Sequence, residues 1–174
     1  MHNILHRIFK DKSFPQSGTR EELHNFFEKS VREFEDGSFL KETALPAVNG
    51  EPDLHEKLYQ HRTELLLIKY WKRNCIPCLS VAEMYKEAEK RCAQEKLPVR
   101  FYSINTKETH NKDVVDNQLV EGTPTIQKFH DFAQVGEDIR ATNIDDLMST
   151  IYQELRDISP LDKFAGASSG VLNQ

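Results

Sequence analysis

The centre of the chain alternates between apolar runs of strand length and segments with helical periodicity. An almost unbroken apolar run, Leu65–Trp71, is typical of a strand that is buried on both faces. A long helix is predicted to follow Pro77 and to run towards Lys96. This alternation predicts an α/β domain. The last predicted helix is capped by Thr142 or Asn143 and has Ile144, Leu147, Ile151 and Leu155 inward. The other predicted elements are an edge strand within Leu45–Gly50, helices over Asp53–His61 and Asp113–Leu119, strands over Val99–Asn105 and Thr125–Phe132, and a hairpin partner over Ala133–Thr142.

A separate helix is predicted ahead of this domain. Thr19 and Glu22 form a capping box at its start, and Asp36-Gly37-Ser38 is expected to end it. We therefore assign residues 19–42 to an N-terminal helical extension. Its apolar stripe is expected to pack against the main domain, with docking of a protein partner as the alternative. The stripe consists of Leu23, Phe26, Phe27, Val31 and Phe34.

The two ends of the chain differ in composition from its centre. Residues 1–18 are predicted to be flexible and basic, and residues 159–174, where small and polar side chains dominate, are predicted to be a disordered tail. The first twenty residues are acid-poor, and their apolar side chains fall on one helical face, which is the pattern of a mitochondrial import sequence. A frayed, weakly basic terminus is the alternative. The basic residues are Arg7, Lys10, Lys12 and Arg20, and the apolar ones are Ile4, Leu5, Ile8 and Phe9.

Composition narrows the class of function. The net charge of −5 argues against nucleic acid as the main partner, and no window approaches the ~20 apolar residues that a membrane span needs. Three cysteines are too few for a secreted disulfide scaffold. An intracellular protein is therefore expected, with the mitochondrion slightly favoured over the cytosol, and no cofactor is predicted.

The polar turn after the first strand leads into Cys75-Ile76-Pro77-Cys78, and helix-forming sequence follows at once. Backbone N–H groups and the dipole at a helix N-terminus favour a negative sulfur, so a cysteine there can ionise below its ordinary pKa of about 8.5. This placement indicates a dithiol–disulfide redox centre. A zinc half-site is less favoured because Cys92 has no Cys or His at ligand spacing, and no metal ligand is assigned. Metal or iron–sulfur binding across a dimer stays open.

From about Thr43 to Asp157 the chain resembles the thioredoxin family. Trp71 stands four residues before the first cysteine, Pro77 lies between the cysteines, and Thr123-Pro124-Thr125 matches the loop whose proline is cis and lies against the dithiol. The resemblance implies a thioredoxin fold over residues 43–158, with a central mixed β-sheet flanked by helices, to which the N-terminal helix and the C-terminal tail are additions.

The resemblance also implies an activity, thiol–disulfide exchange. Cys75, expected to be exposed, attacks a substrate disulfide, and the more buried Cys78 resolves the mixed disulfide. Pro124 and the backbone of Thr123 are expected to hold the substrate chain. The implied partners are proteins with disulfides and an unidentified thiol reductant or reductase. The predicted substrate-binding residues are Trp71, Asn74, Ile76, Pro77, Thr123 and Pro124.

Five positions depart from the family pattern. Lys69 replaces the buried aspartate that assists proton removal, and we predict that it stabilises the thiolates as a cation or acts as a base when neutral; an ammonium that reaches water without a role is the alternative. The other departures are Asn74 for tryptophan, Ile76 for glycine, Glu83 for the helix-kinking proline, and Arg140 near the hairpin glycine. A binding or assembly subunit with weak or no redox turnover is therefore the competing function.

Overall fold

The structure, a computed structural model, describes residues 4–159. A four-stranded mixed sheet with the order β2-β1-β3-β4 forms its centre. Strand β1 pairs parallel to β2 and antiparallel to β3, and β3 pairs antiparallel to β4. The predicted α/β architecture is confirmed. The strands are β1 (Leu65–Trp71), β2 (Val99–Asn105), β3 (Thr125–His130) and β4 (Ala133–Gln134).

Helices cover both faces of the sheet because alternate side chains of β1 point to opposite sides. Leu65 and Leu67 pack with α5 and α7, whereas Leu66 and Ile68 pack with α4 and α6 on the other face. A strand covered on both sides is apolar at nearly every position, which explains its almost unbroken hydrophobic run, with Lys69 as the exception. The helices of the domain are α4 (Glu51–Gln60), α5 (Ile76–Gln94), α6 (Lys112–Asn117), preceded by a 3-10 turn over Thr109–Asn111, and α7 (Ile144–Ile158), which Asn143 caps.

Two predicted strands are shorter than the sequence indicated. The segment at Leu45–Gly50 forms only a single parallel bridge, from Ala47 to Ser103. The expected hairpin partner Ala133–Thr142 is reduced to the two residues of β4. Gly136, with φ +63°, turns the backbone out of the ladder, which it rejoins where the Ile139 N–H bonds the Ile126 carbonyl at 3.0 Å.

The extension begins with α2 (Arg20–Phe34), and the predicted capping box of Thr19 and Glu22 is present. The expectation that Asp36-Gly37-Ser38 ends this helix is wrong. The chain continues through a π-helical turn, Glu35–Phe39, into α3 (Leu40–Thr43). Gly37 is unfavourable in a helix by about 1 kcal/mol, but burial of Glu35 and Phe39 on either side of it anchors the turn.

The expectation of a flexible N-terminus needs correction for the helix α1 (Ile4–Phe9). Its side chains Ile4 and Ile8 are buried in a cluster, here called the extension cluster, that joins the extension to the first turns of α5. The face that suggested an import sequence therefore also packs within the fold. The buried members of the extension cluster are Ile4, Ile8, Val31, Phe39, Leu79 and Ala82.

The rest of the predicted C-terminal tail, beyond Ser159, lies outside the described residues, as do residues 1–3. Among the residues that are described, no helix combines the length and the apolar character that crossing a membrane requires.

Candidate redox site

The two cysteines of the motif meet at the carboxyl end of β1. Cys75 is the N-cap residue of α5, and its Sγ accepts a hydrogen bond from the Cys78 N–H at 3.3 Å. The side chains form a disulfide with their Cα atoms 5.3 Å apart. Pro77 lies in the first turn of α5, where the helix needs no N–H from it. A sulfur at this position receives both a backbone N–H and the positive end of the helix dipole.

Cys75 is not the exposed residue that the sequence suggested. Only 6% of it is exposed, against 4% for Cys78. Its Sγ faces the loop before β3, at 3.5 Å from Oγ1 and 3.8 Å from the carbonyl oxygen of Thr123. Because this loop covers the sulfur, the difference in exposure between the two cysteines is small.

The loop that carries Thr123 places Pro124 beside the dithiol, through a cis peptide bond between them. Next to Pro124 lies a cleft of about 240 Å³ that Tyr85, Ile139 and Arg140 also line. Arg140, the residue near the expected hairpin glycine, therefore lines the same cleft as Pro124. The structure thus brings Thr123 to Cys75, and Pro124 is the next residue of the same loop.

Lys69 is buried behind the dithiol, with 6% exposed. It lines a cavity of about 400 Å³ together with Trp71 and Cys78. Burial, and secondarily the charge of Lys86, lowers the pKa of Lys69 from 10.5 to about 8. Its Nζ lies 5.9 Å from the centre of the Tyr85 ring, and among residues 4–159 it has no ion pair or hydrogen bond.

The turn between β1 and α5 is held by the extension. The Asn74 N–H donates to Oε2 of Glu35 at 3.0 Å, and the Asn74 side chain donates to Glu28 at 3.3 Å. Arg73 donates to Asp36 at 2.5 Å. Asn74 has φ +58°, a left-handed conformation that asparagine tolerates better than most residues. Asn74 in place of the family's tryptophan therefore fits both the conformation and the contacts of this turn.

Two further departures from the family pattern contact segments that precede the domain. Ile76, in place of glycine, packs against the extension cluster. Glu83, in place of the kinking proline, forms an ion pair with Arg7 of α1. Three of the five altered positions, Asn74, Ile76 and Glu83, thus contact the segments that precede the domain.

Glu35 is a site residue that sequence reasoning missed. Its neighbour Asp36 is exposed, and nothing in the local pattern of acids distinguishes the two. Only the π-helical turn directs Glu35 inward, so no sequence signal was available. The third cysteine, Cys92, is buried in α5, where burial and, to a smaller extent, the charge of Glu95 raise the pKa of its thiol to about 11.

Metal binding was left open for a dimer. Within residues 4–159 of one chain, no three His, Cys, Asp or Glu side chains are grouped so that they could hold a metal ion.

Comparison with known proteins identifies the class. The family model for thioredoxin matches residues 47–153, more than half of the chain. The chain therefore belongs to the thioredoxin family, and its domain has the thioredoxin fold. Together with the close Cys75–Cys78 pair, this supports a thioredoxin-like redox function.

Solved structures agree on the fold. Thioredoxin from Fasciola hepatica is similar with a TM-score of 0.54 and 18% identity, over 63% of this chain and 98% of that one. Thioredoxin f2 from Chlamydomonas reinhardtii is similar with a TM-score of 0.52 and 22% identity, over 64% of this chain and 96% of that one. A complex of ferredoxin:thioredoxin reductase with thioredoxin f2 contains a chain that is similar with a TM-score of 0.53 and 15% identity, over 64% of this chain and 96% of that one. No curated protein matches significantly in sequence.

Proposed function

We propose that the protein is a divergent thiol–disulfide oxidoreductase that exchanges disulfides through Cys75 and Cys78. The observation that carries this proposal is the disulfide at the N-terminus of α5, with the Thr123-Pro124 loop against its sulfur. A helix N-terminus stabilises a thiolate, and a neighbouring backbone in extended form can pair with a substrate strand.

The reaction has two displacement steps. The Cys75 thiolate attacks one sulfur of a substrate disulfide, which forms a mixed disulfide and releases the other substrate sulfur as a thiolate. The Cys78 thiolate then attacks Sγ of Cys75 and expels the second substrate thiolate. The substrate gains two electrons, and the protein is left with the Cys75–Cys78 disulfide.

Lys69 is the residue we assign to proton transfer behind the dithiol. It lines the same cavity as Cys78, and its pKa of about 8 leaves part of the population neutral near physiological pH. A neutral Lys69 amine accepts the proton of the Cys78 thiol, giving a thiolate and an ammonium. The family's aspartate is an anionic base that becomes neutral when it takes the proton, whereas Lys69 is a neutral base that becomes a cation.

The substrate surface is assigned to residues around the dithiol. The residues we assign to it are Trp71, Asn74, Ile76, Pro77, Thr123 and Pro124. The extension already engages Asn74 and Ile76, so we propose that protein substrates approach from the Pro124 side. Regeneration of the dithiol requires a thiol reductant or a reductase.

The deciding experiment is the reduction potential of the Cys75–Cys78 pair, measured by equilibration with glutathione and thiol alkylation. We expect a two-electron transition that Cys75→Ser abolishes. Its position between about −270 and −120 mV distinguishes a reductant from an oxidant. If no disulfide forms at any glutathione ratio, the proposed exchange is refuted.

A binding or assembly role without turnover is the second candidate. The observation that favours it is the exposure of large apolar side chains on and before α2, with 56% of Phe14, 42% of Leu23 and 37% of Phe27 exposed. Such side chains are typical of contacts with a protein partner. In that case Cys75→Ser leaves the cellular function intact, whereas Leu23→Glu abolishes it.

We propose an intracellular location, with the mitochondrion favoured over the cytosol, on the basis of the basic and acid-poor first twenty residues. Fusion of residues 1–20 to a fluorescent protein tests this. Import of the fusion into mitochondria is expected, and a diffuse cytosolic signal contradicts the proposal.

A further inference from the structure

Glu35 is an acidic side chain in a buried position, where a charged carboxylate is unfavourable. Only 1% of it is exposed, and its Oε1 has no hydrogen-bond partner among the described residues. Burial raises its pKa, while the Asn74 N–H and the charge of Arg73 oppose that shift. A buried acceptor left unpaired reduces stability, so packing alone does not account for a glutamate at this position.

The placement of Glu35 depends on the extension. It is the first residue of the π-helical turn Glu35–Phe39, and it precedes the stretch that matches the family, residues 47–153. Single π-helical turns are rare and are frequently found at functional sites. The carboxylate is therefore brought to the redox centre by a segment that the matched domain does not contain.

The contacts of Glu35 converge on the turn before the dithiol. Its Oε2 accepts the Asn74 N–H at 3.0 Å, and its Oε1 lies 3.9 Å from Nε of Arg73. Asp36 holds the other end of the same guanidinium at 2.5 Å. A hydrogen bond between a backbone N–H and a buried side-chain oxygen is costly to break, so Glu35 fixes the backbone one residue before Cys75.

We propose that Glu35 is a positioning residue for the Cys75–Cys78 pair, which holds the turn 72–74 so that Sγ of Cys75 stays within reach of Cys78. The proposal rests on the proposed function, whose exchange step it deepens. Fixing the turn raises the effective concentration of one thiol at the other. Ring closure, in which two protein thiols and oxidised glutathione give the protein disulfide and two reduced glutathione molecules, then becomes more favourable.

Three variants of the full chain separate positioning from charge. Glu35→Ala removes the acceptor of the Asn74 N–H. Glu35→Gln removes the charge but keeps a side-chain oxygen that can accept the Asn74 N–H. Glu42→Ala changes an exposed glutamate of α3 and serves as the matched control. For each variant we would measure the equilibrium constant with glutathione and the hydrogen exchange of the Asn74 amide, at a temperature where all are folded.

For Glu35→Ala we expect the equilibrium constant to fall by about tenfold, as for loss of one hydrogen bond that leaves a buried backbone N–H without its acceptor, and the Asn74 amide to exchange at least tenfold faster. Glu35→Gln should retain the constant within about threefold, and Glu42→Ala should leave both quantities unchanged. A folded Glu35→Ala protein with a constant within twofold of the parent overturns the proposal. An equal fall of the equilibrium constant in Glu35→Gln also overturns it, because the charge of Glu35, rather than its hydrogen bond to the turn, would then set the constant.

The two proposals fail in different ways. If the unmodified protein forms no disulfide at any glutathione ratio, the proposed function fails, yet the amide exchange of Asn74 still reports on the turn. If the disulfide forms normally and Glu35→Ala changes neither quantity, only the positioning role of Glu35 is refuted.

Discussion

Lys69→Met should stabilise the protein, although it removes a residue of the candidate site. The pKa of Lys69 falls from 10.5 to about 8 because the ammonium is buried and because Lys86 is nearby. Since one pKa unit corresponds to about 1.4 kcal/mol, keeping this lysine charged destabilises the native state by about 3 kcal/mol at pH 7. Loss of the contact with the Tyr85 ring offsets about 1 kcal/mol. The net expectation is a gain of about 2 kcal/mol in the free energy of unfolding.

The gain should depend on pH in a defined direction. The unfolded chain binds the Lys69 proton more tightly than the native chain, so the native parent becomes more stable as the pH rises from about 8 towards 10.5. Lys69→Met has no such group. The gain in the free energy of unfolding of Lys69→Met over the parent is therefore constant below about pH 8 and shrinks by about 2 kcal/mol by pH 9.5.

Urea unfolding of both proteins at pH 7 and pH 9.5 measures these differences. Lys128→Met is the matched comparison, because Lys128 is also buried but pairs with Glu154 at 2.6 Å. Removing that lysine leaves a largely buried carboxylate without its partner, and we expect a loss of about 3 kcal/mol. A destabilised Lys69→Met protein, or a gain that is the same at both pH values, would refute the reasoning on the buried charge.

Other substitutions test separate parts of the structure. If Lys69 is the base for Cys78, Lys69→Met should slow thiol–disulfide exchange at pH 7 by at least tenfold and remove an inflection near pH 8 from the pH–rate profile; an unchanged profile excludes that role. Ile8→Ala should reduce the free energy of unfolding by about 3 kcal/mol, because Ile8 is buried against the domain, while exposed Lys10→Ala should have little effect; equal, small effects would mean that α1 is not docked in solution. Asn143→Ala should reduce it by about 1 kcal/mol, since the Asn143 side chain accepts the Asp146 N–H at 2.8 Å and caps α7, and unchanged urea unfolding would show that the cap is dispensable.

Much of the domain was predictable because its signals are local. The apolar run of β1 and the bounds of β2 were predicted as observed, since short runs rich in apolar and β-branched residues between turn signals indicate strands. The cysteines, Pro77 and the Thr123-Pro124 pair identified the site because their chemistry needs those residue types on adjacent elements. The π-helical turn was missed because Gly37 is unfavourable in a helix, and only burial on either side of it compensates.

The sequence by itself determined the element order, the family and the cysteines that carry the chemistry, because periodicity, helix caps and motif spacing depend on residues close together in the chain. Only the tertiary structure showed that the extension docks beside the dithiol, with Glu35 on the Asn74 N–H and Ile76 in the extension cluster. Glu35 and Asn74 are 39 positions apart, and no local pattern records such a contact. The burial of Cys75 and the lowered pKa of Lys69 likewise follow from packing of distant segments, which sets the dielectric environment of each group.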